Sequence, residues 1–169
     1  VTSADTAGTA EAPVSRPPRK FLVIVDDTPE CERALLYAAK RAERTGGSVV
    51  ALCIAGTSEF QHWLGVENVM REEAEEEANE MLDRAFLRLA QSVPTVPERR
   101  IVIGNRIDGI RRTIKEDPAI AILVLAAATG SEGPGPLVSA IAGGEAGGYP
   151  IPITIVPGGL TDEEIDAIV

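Results

Sequence analysis

Lys20-Phe21-Leu22-Val23-Ile24-Val25-Asp26-Asp27-Thr28-Pro29 is the stretch that decides the architecture. From Phe21 to Val25 the run is apolar without interruption. A strand with one wet face alternates apolar and polar residues, so a continuous run marks a strand covered on both faces. The acids and the Thr-Pro pair stop it and start a helix, with Thr28 expected as N-cap and Pro29 at the first helical position. Cys31, Leu35, Ala38, Ala39 and Ala42 then recur at helical spacing, and Gly46-Gly47 ends the helix.

Working outward, the same alternation repeats. Ser48–Ile54 reads as a second buried strand, and Gly56–Gly65 is irregular. A long helix is predicted over Glu67–Gln91, with Met70, Ala74, Met81, Ala85 and Leu89 on one face, widened by Leu82 and Phe86. The run Glu72 to Glu77 is its solvated side. Arg100–Ile103 is a third strand closed by Gly104, and Asp108–Glu116 a helix. Ala119–Ala126 is a fourth strand. A glycine-rich stretch from Gly130 to Gly148 holds a short helix near Leu137–Ala142. Ile151–Val156 is the fifth strand. Thr161 and Glu164 form a capping box, with Leu160 and Ile165 as its hydrophobic staple, so a terminal helical turn is predicted.

Strands alternating with helices require a parallel sheet with helices on both faces, a three-layer α/β/α sandwich with five strands. Its ligand site lies beyond the carboxyl ends of the strands, where strand order reverses. That rule gathers Asp26, Ile54, Gly104 and the loop after Ala126 around one crevice. Residues 1–18, rich in Thr, Ala, Ser, Gly and Pro, read as a disordered tail. The folded domain is expected over 19–157, with 158–169 a short helical tail.

Composition narrows the function. The 169 residues suffice for one domain, and with aromatics at 4% the core must be aliphatic. The net charge of −10, with Lys only at 20, 40 and 115 and no basic cluster, argues against nucleic acid as a partner. No apolar run reaches the 18 or more residues of a membrane span, and the first residues lack the basic start and apolar block of a secretory signal. Both cysteines, Cys31 and Cys53, fall in apolar segments, which fits a reducing, cytoplasmic setting and no disulfide framework.

Catalytic signatures are scarce. Neither a nucleophile elbow nor a Gly-x-x-x-x-Gly-Lys-Ser/Thr loop occurs. The single histidine, His62, has no cysteine near it and reads as an exposed or satisfied side chain. Cys31 sits on the apolar stripe and reads as a buried structural thiol. The Asp26-Asp27 pair suggests the magnesium-holding acids of a receiver domain. That alternative also needs a phospho-accepting Asp after the third strand, where Gly104-Asn105 stand, and a late Lys, whereas no Lys follows 115. An acid at the end of the first strand can instead accept hydrogen bonds from an adenosine, while a glycine loop after the fourth strand wraps phosphates with backbone N–H groups. Glycine is needed there because a Cβ blocks close approach.

On these segments the chain resembles the universal stress protein family: Phe21 to Asp26 with Thr28, Ser48 to Ile54, Ile101-Val102-Ile103-Gly104 with Ile107, Leu123 to Ala126 before the glycine loop, and Pro152 to Pro157. The likeness runs from about Lys20 to Pro157. It implies a stress-response role without enzymatic activity, and ATP or AMP as ligand at Asp26, Ile54, Gly130, Gly133, Gly143 and Gly144. ATP-binding members carry Gly-x-x-Gly, nine residues, then Gly-Ser or Gly-Thr. Gly130-Ser131-Glu132-Gly133 followed by Gly143-Gly144 matches the spacing, but Gly144 stands where the hydroxyl belongs. A second register puts Ala127 and Gly130 at the first two glycine positions and lengthens the loop. The missing hydroxyl removes one phosphate hydrogen bond, about 1–2 kcal/mol, and Pro134 and Pro136 remove two N–H donors. The resemblance equally implies a homodimer paired through Ile151–Val156, so an interaction module that binds no nucleotide is the alternative reading.

Overall fold

The computed structural model describes residues 17–56 and 67–169. Five strands, β1 (Lys20–Ile24), β2 (Ser48–Ala55), β3 (Glu98–Ile103), β4 (Ile120–Ala127) and β5 (Ile153–Pro157), form one parallel sheet in the order β3-β2-β1-β4-β5. The helices are α1 (Cys31–Thr45), α2 (Glu67–Leu89), α3 (Arg106–Glu116), α4 (Pro136–Ala140) and α5 (Asp162–Ile168). The expected three-layer sandwich is present. His62 and most of the irregular stretch before α2 lie outside the described residues, as does all of the expected N-terminal tail except Pro17 and Pro18.

The pleat explains the unbroken apolar run. Phe21, Val23 and Val25 point into one core with α1, α2 and Ile165 of α5, while Leu22 and Ile24 point into the other with Ile110 and Ile114 of α3 and Val138 of α4. Across the sheet, Leu123, Leu22 and Val50 stand side by side on one face, and Val124, Val23 and Ala51 on the other. All six are fully buried. At about 1.5–3 kcal/mol per buried Leu or Val side chain, this central row is a large apolar contribution.

Several boundaries differ from the sequence reading. Thr28 does not cap α1, and Pro29 lies outside it. The helix begins at Cys31 after Glu30, which makes no side-chain cap. Thr28 instead closes a local turn: the Asp26 carboxylate accepts both the Thr28 N–H, at 3.2 Å, and the Thr28 hydroxyl, and the Cys31 N–H donates to the Thr28 carbonyl at 3.3 Å, not to its side chain. On α2 the buried stripe is Ala78, Leu82, Ala85 and Leu89, and Met70 is 41% exposed. The helix has 23 residues, roughly 34 Å, and outruns β2, whose eight residues span roughly 26 Å. Strand β5 starts at Ile153 instead of Ile151, with the Pro152 carbonyl accepting from Leu123 N–H at 2.9 Å. Helix α3 starts two residues early because Asn105 caps it, accepting the Asp108 N–H at 3.1 Å. The helix predicted at Leu137–Ala142 is α4, which runs on into a π turn at Ile141–Glu145.

The capping box of α5 is formed, with Glu164 N–H on Thr161 Oγ1 at 3.2 Å and Thr161 N–H on Glu164 Oε2 at 2.9 Å. The 158–169 segment docks on α1: Ile165 is fully buried, and Arg33 and Lys40 pair with Asp162 and Asp166.

At the amino ends of the strands Lys20 donates to Glu98 of β3, at 2.7 Å, and to Asp117 before β4, at 2.8 Å. The hydrogen bond from Lys20 holds the Asp117 carboxyl below its ordinary 3.8 and the Glu98 carboxyl below its ordinary 4.5. A carboxylate depressed in the folded state stabilises above its unfolded pKa and loses that contribution as pH falls through the folded one. Lys20→Met is therefore expected to unfold about 0.5–1 kcal/mol more easily at pH 7. Urea titrations should show the difference fading as pH drops below these carboxylate values; equal stability at pH 7 would remove the clamp from this account.

Candidate functional site

Strands β1 and β4 are adjacent and parallel, and the chain reverses its direction of travel across the sheet between them. Their carboxyl ends open into a crevice lined by Ile24, Asp26, Thr28 and Cys31 on one side and by Leu125 and Ala126 on the other. Glu30, Arg106 and the segment Pro134 to Val138 complete its lining. The volume is about 60 Å³. Beside it lies an open depression of about 640 Å³ formed by Ala128, Gly130 to Gly133, Gly135, Pro136 and Ser139. Gly135 and Pro136 line both.

The residues expected at one site are thus divided. Asp26 is in the crevice, while Gly130 and Gly133 are in the depression next to it. Ile54, Gly143 and Gly144 line neither. Ile54 packs on α3: a Cβ added at Gly109 would lie 3.3 Å from its Cδ1. Gly144 sits in the π turn beyond α4 at φ 126°, a conformation L side chains rarely adopt. The missing hydroxyl at this position is therefore tied to the backbone path, because a serine would be strained there.

Asp26 accepts from Thr28, and its own carbonyl accepts the Cys31 thiol at 3.2 Å. Burial pushes the Cys31 and Cys53 thiols up to about 11, so neither is a thiolate at neutral pH. Asp27 is exposed and does not line the crevice; it lines a neighbouring hollow with Glu32, Arg84 and Arg88, which shares Asp26 and Thr28 with the crevice. Among the described residues no group of three His, Cys, Asp or Glu side chains could hold a metal ion.

Sequence reasoning missed Arg106. It follows the cap Asn105, and the first turn of a helix after a parallel strand lies at the carboxyl edge of the sheet. The Gly104-Asn105 turn was the available signal. Cys31 was read as structural only, yet it forms part of the crevice wall.

An adenine nucleotide does not fit this crevice as it stands. At about 60 Å³ the crevice is well below the several hundred Å³ of ligand pockets. Asp26 and Glu30 bring carboxylates, Arg106 is the one cation on the wall, and Pro134 and Pro136 supply no N–H.

A doubly wound parallel sheet with a crevice at the β1/β4 switch point defines a class of α/β proteins that place small ligands at strand carboxyl ends. Within that class the sequence profile of the universal stress protein family matches residues 18–142, and the chain belongs to this family. No curated protein sequence matches it. Among solved structures, the universal stress protein UspA from Lactobacillus plantarum superposes with a TM-score of 0.64 at 20% identity, covering 82% of this chain and 97% of that one. A universal stress protein from Archaeoglobus fulgidus in complex with dAMP gives 0.56 at 15% identity, over 83% and 98%. A family protein from Arabidopsis thaliana with AMP bound gives 0.54 at 16%, over 87% and 95%.

If the π turn dictates glycine at 144, restoring the family hydroxyl must cost stability. Gly144→Ser is expected to lower unfolding free energy by about 1–3 kcal/mol. A denaturant midpoint equal to that of the unaltered protein would show that the backbone tolerates the side chain.

Proposed function

We propose that this chain is a non-enzymatic stress-response module of the cytoplasm that acts as a homodimer, paired through the edge strand β5. The observation that carries this reading is the contrast between the two sheet edges. The β3 edge opens with Glu98, Arg99 and Arg100, held by ion pairs to Lys20, Asp83 and Glu116. Charges on an edge strand prevent another strand from adding to it. The β5 edge, Ile153 to Pro157, has no charge at all, and Ile155 is 42% exposed. Pro152 and Pro157 confine pairing to the residues between them. The non-enzymatic part is supported by the protonated, buried Cys31 thiol and by the engagement of Asp26 by Thr28 at the crevice. The cytoplasmic part is supported by the same free cysteines, and no helix among the described residues is long and apolar enough to cross a membrane.

Light scattering tests the pairing. A mass of twice 17.8 kDa is expected, with Ile155→Lys shifting the protein to the monomer without unfolding it. A monomer at high micromolar concentration before any substitution would remove this reading.

A second reading is favoured by Asp26 at the switch point and by the AMP and dAMP held in the two related structures. In it the ligand is an adenine nucleotide with one phosphate, since Arg106 is the single cation on the crevice wall and Glu132 borders the depression. Calorimetry should then give weak AMP binding, weaker ATP binding, and loss of both with Asp26→Ala. No heat with either nucleotide at millimolar concentration would leave only the dimeric module.

A further inference from the structure

The crevice at the switch point is narrowed on one side by Pro134 to Val138, and the segment leading to them is lightly held. Beyond the end of β4, the Ala128 N–H donates to the Pro134 carbonyl at 3.2 Å. Apart from the junction with α4, where the Ser139 N–H donates to the Gly135 carbonyl at 2.9 Å, this is the one backbone hydrogen bond among the described residues that ties 129–136 to the rest of the fold; Gly133 N–H to Gly130 carbonyl at 3.3 Å is internal to it. Gly133 and Gly135, on either side of Pro134, have φ of 95° and 98°. A Cβ at either would meet no atom within 4 Å, so packing does not lock them. The far end is anchored, because Val138 is 5% exposed and Ile141 is 3% exposed in the α3-side core. A weakly held span with two unpacked glycines, hinged between a strand end and a buried helix, is the pattern of a segment that opens locally.

The geometry points to 129–136 as a hinged roof over Asp26, one that has to swing away from Pro134 before any ligand of nucleoside size reaches the crevice. The crevice of about 60 Å³ and the depression of about 640 Å³ share Gly135 and Pro136 as lining, so displacing these two residues would bring the hollows together. Only the identity of the entering molecule rests on the nucleotide reading above. The roof itself does not.

Cys31 reports on the roof directly. Its thiol lines the crevice and is 2% exposed, whereas Cys53, 3% exposed, does not line it. Each thiol is compared with itself between the unaltered protein and a loosened variant, and Cys53 serves as the control for global opening. Iodoacetamide labelling of the full chain, followed by mass spectrometry, is compared with a double variant, Pro134→Gly with Pro136→Ala, which loosens two exposed positions. Cys31 should label slowly in the unaltered protein and at least about tenfold faster in the variant, with Cys53 unchanged. A Cys31 rate that does not change, or that rises only in step with Cys53, overturns the roof.

Hydrogen exchange of the unaltered protein gives an answer independent of how the variant folds. The Ala128 amide, held by the roof, should exchange well before the Gly158 amide, which bonds the Ala127 carbonyl at 2.8 Å on the same strand end. Equal protection of the two amides would equally overturn it. Neither measurement uses nucleotide, so their failure leaves the dimer and the ligand questions where they stood.

Discussion

The pairing of β1 with β4 is the constraint on which the rest of the molecule depends. Val23 against Val124, and Leu22 against Leu123, put the first strand beside one that begins a hundred residues later. Because both strands are parallel and both faces are buried, everything between them must be wound across the sheet and back. β2 and β3 with α2 take one side, and β5 the other. The reversal opens the crevice at Asp26, and it also leaves β3 and β5 as the two edges. Site and interface thus follow from one strand pairing.

The two edges are treated differently by the sequence. Charges and ion pairs occupy β3, and an uncharged Ile-Thr-Ile-Val run occupies β5. The difference is a simple electrostatic one, since a second strand approaching β3 would have to desolvate paired charges. At the crevice the conflict is between family inheritance and local backbone. The glycine spacing after β4 resembles the nucleotide loop of the family, but the path through Pro134, Pro136 and the π turn takes Gly143 and Gly144 away from Asp26.

Much of this was legible from residue order. Strand and helix types came from periodicity: Phe21 to Val25 had to be covered on both faces, and the apolar run Ala119 to Ala126 read as a strand one residue ahead of the observed Ile120–Ala127. The Thr161 box and the buried Ile165 were readable because capping is a contact over three residues. Less legible were features set by the path of a turn. Thr28 looked like a cap, but its side chain turns back to the Asp26 carboxylate and the helix starts only at Cys31. Met70 sits on the correct helical face but beyond the strands that would bury it, and a helical repeat carries no information on where a sheet ends.

By itself, then, the order of residues determined the parallel α/β sandwich, the position of Asp26 at the end of the first strand and the aliphatic core, since each follows from the spacing of neighbouring side chains along one element. Tertiary structure alone decided that Arg106 and Cys31 wall the crevice, that Ile54 faces Gly109 instead, and that Pro134 to Val138 line the same crevice as Asp26. These are contacts between segments up to about a hundred residues apart. They depend on loop path and backbone dihedrals at glycines such as Gly133, Gly135 and Gly144, whose freedom at positive φ leaves no trace in a hydrophobic pattern.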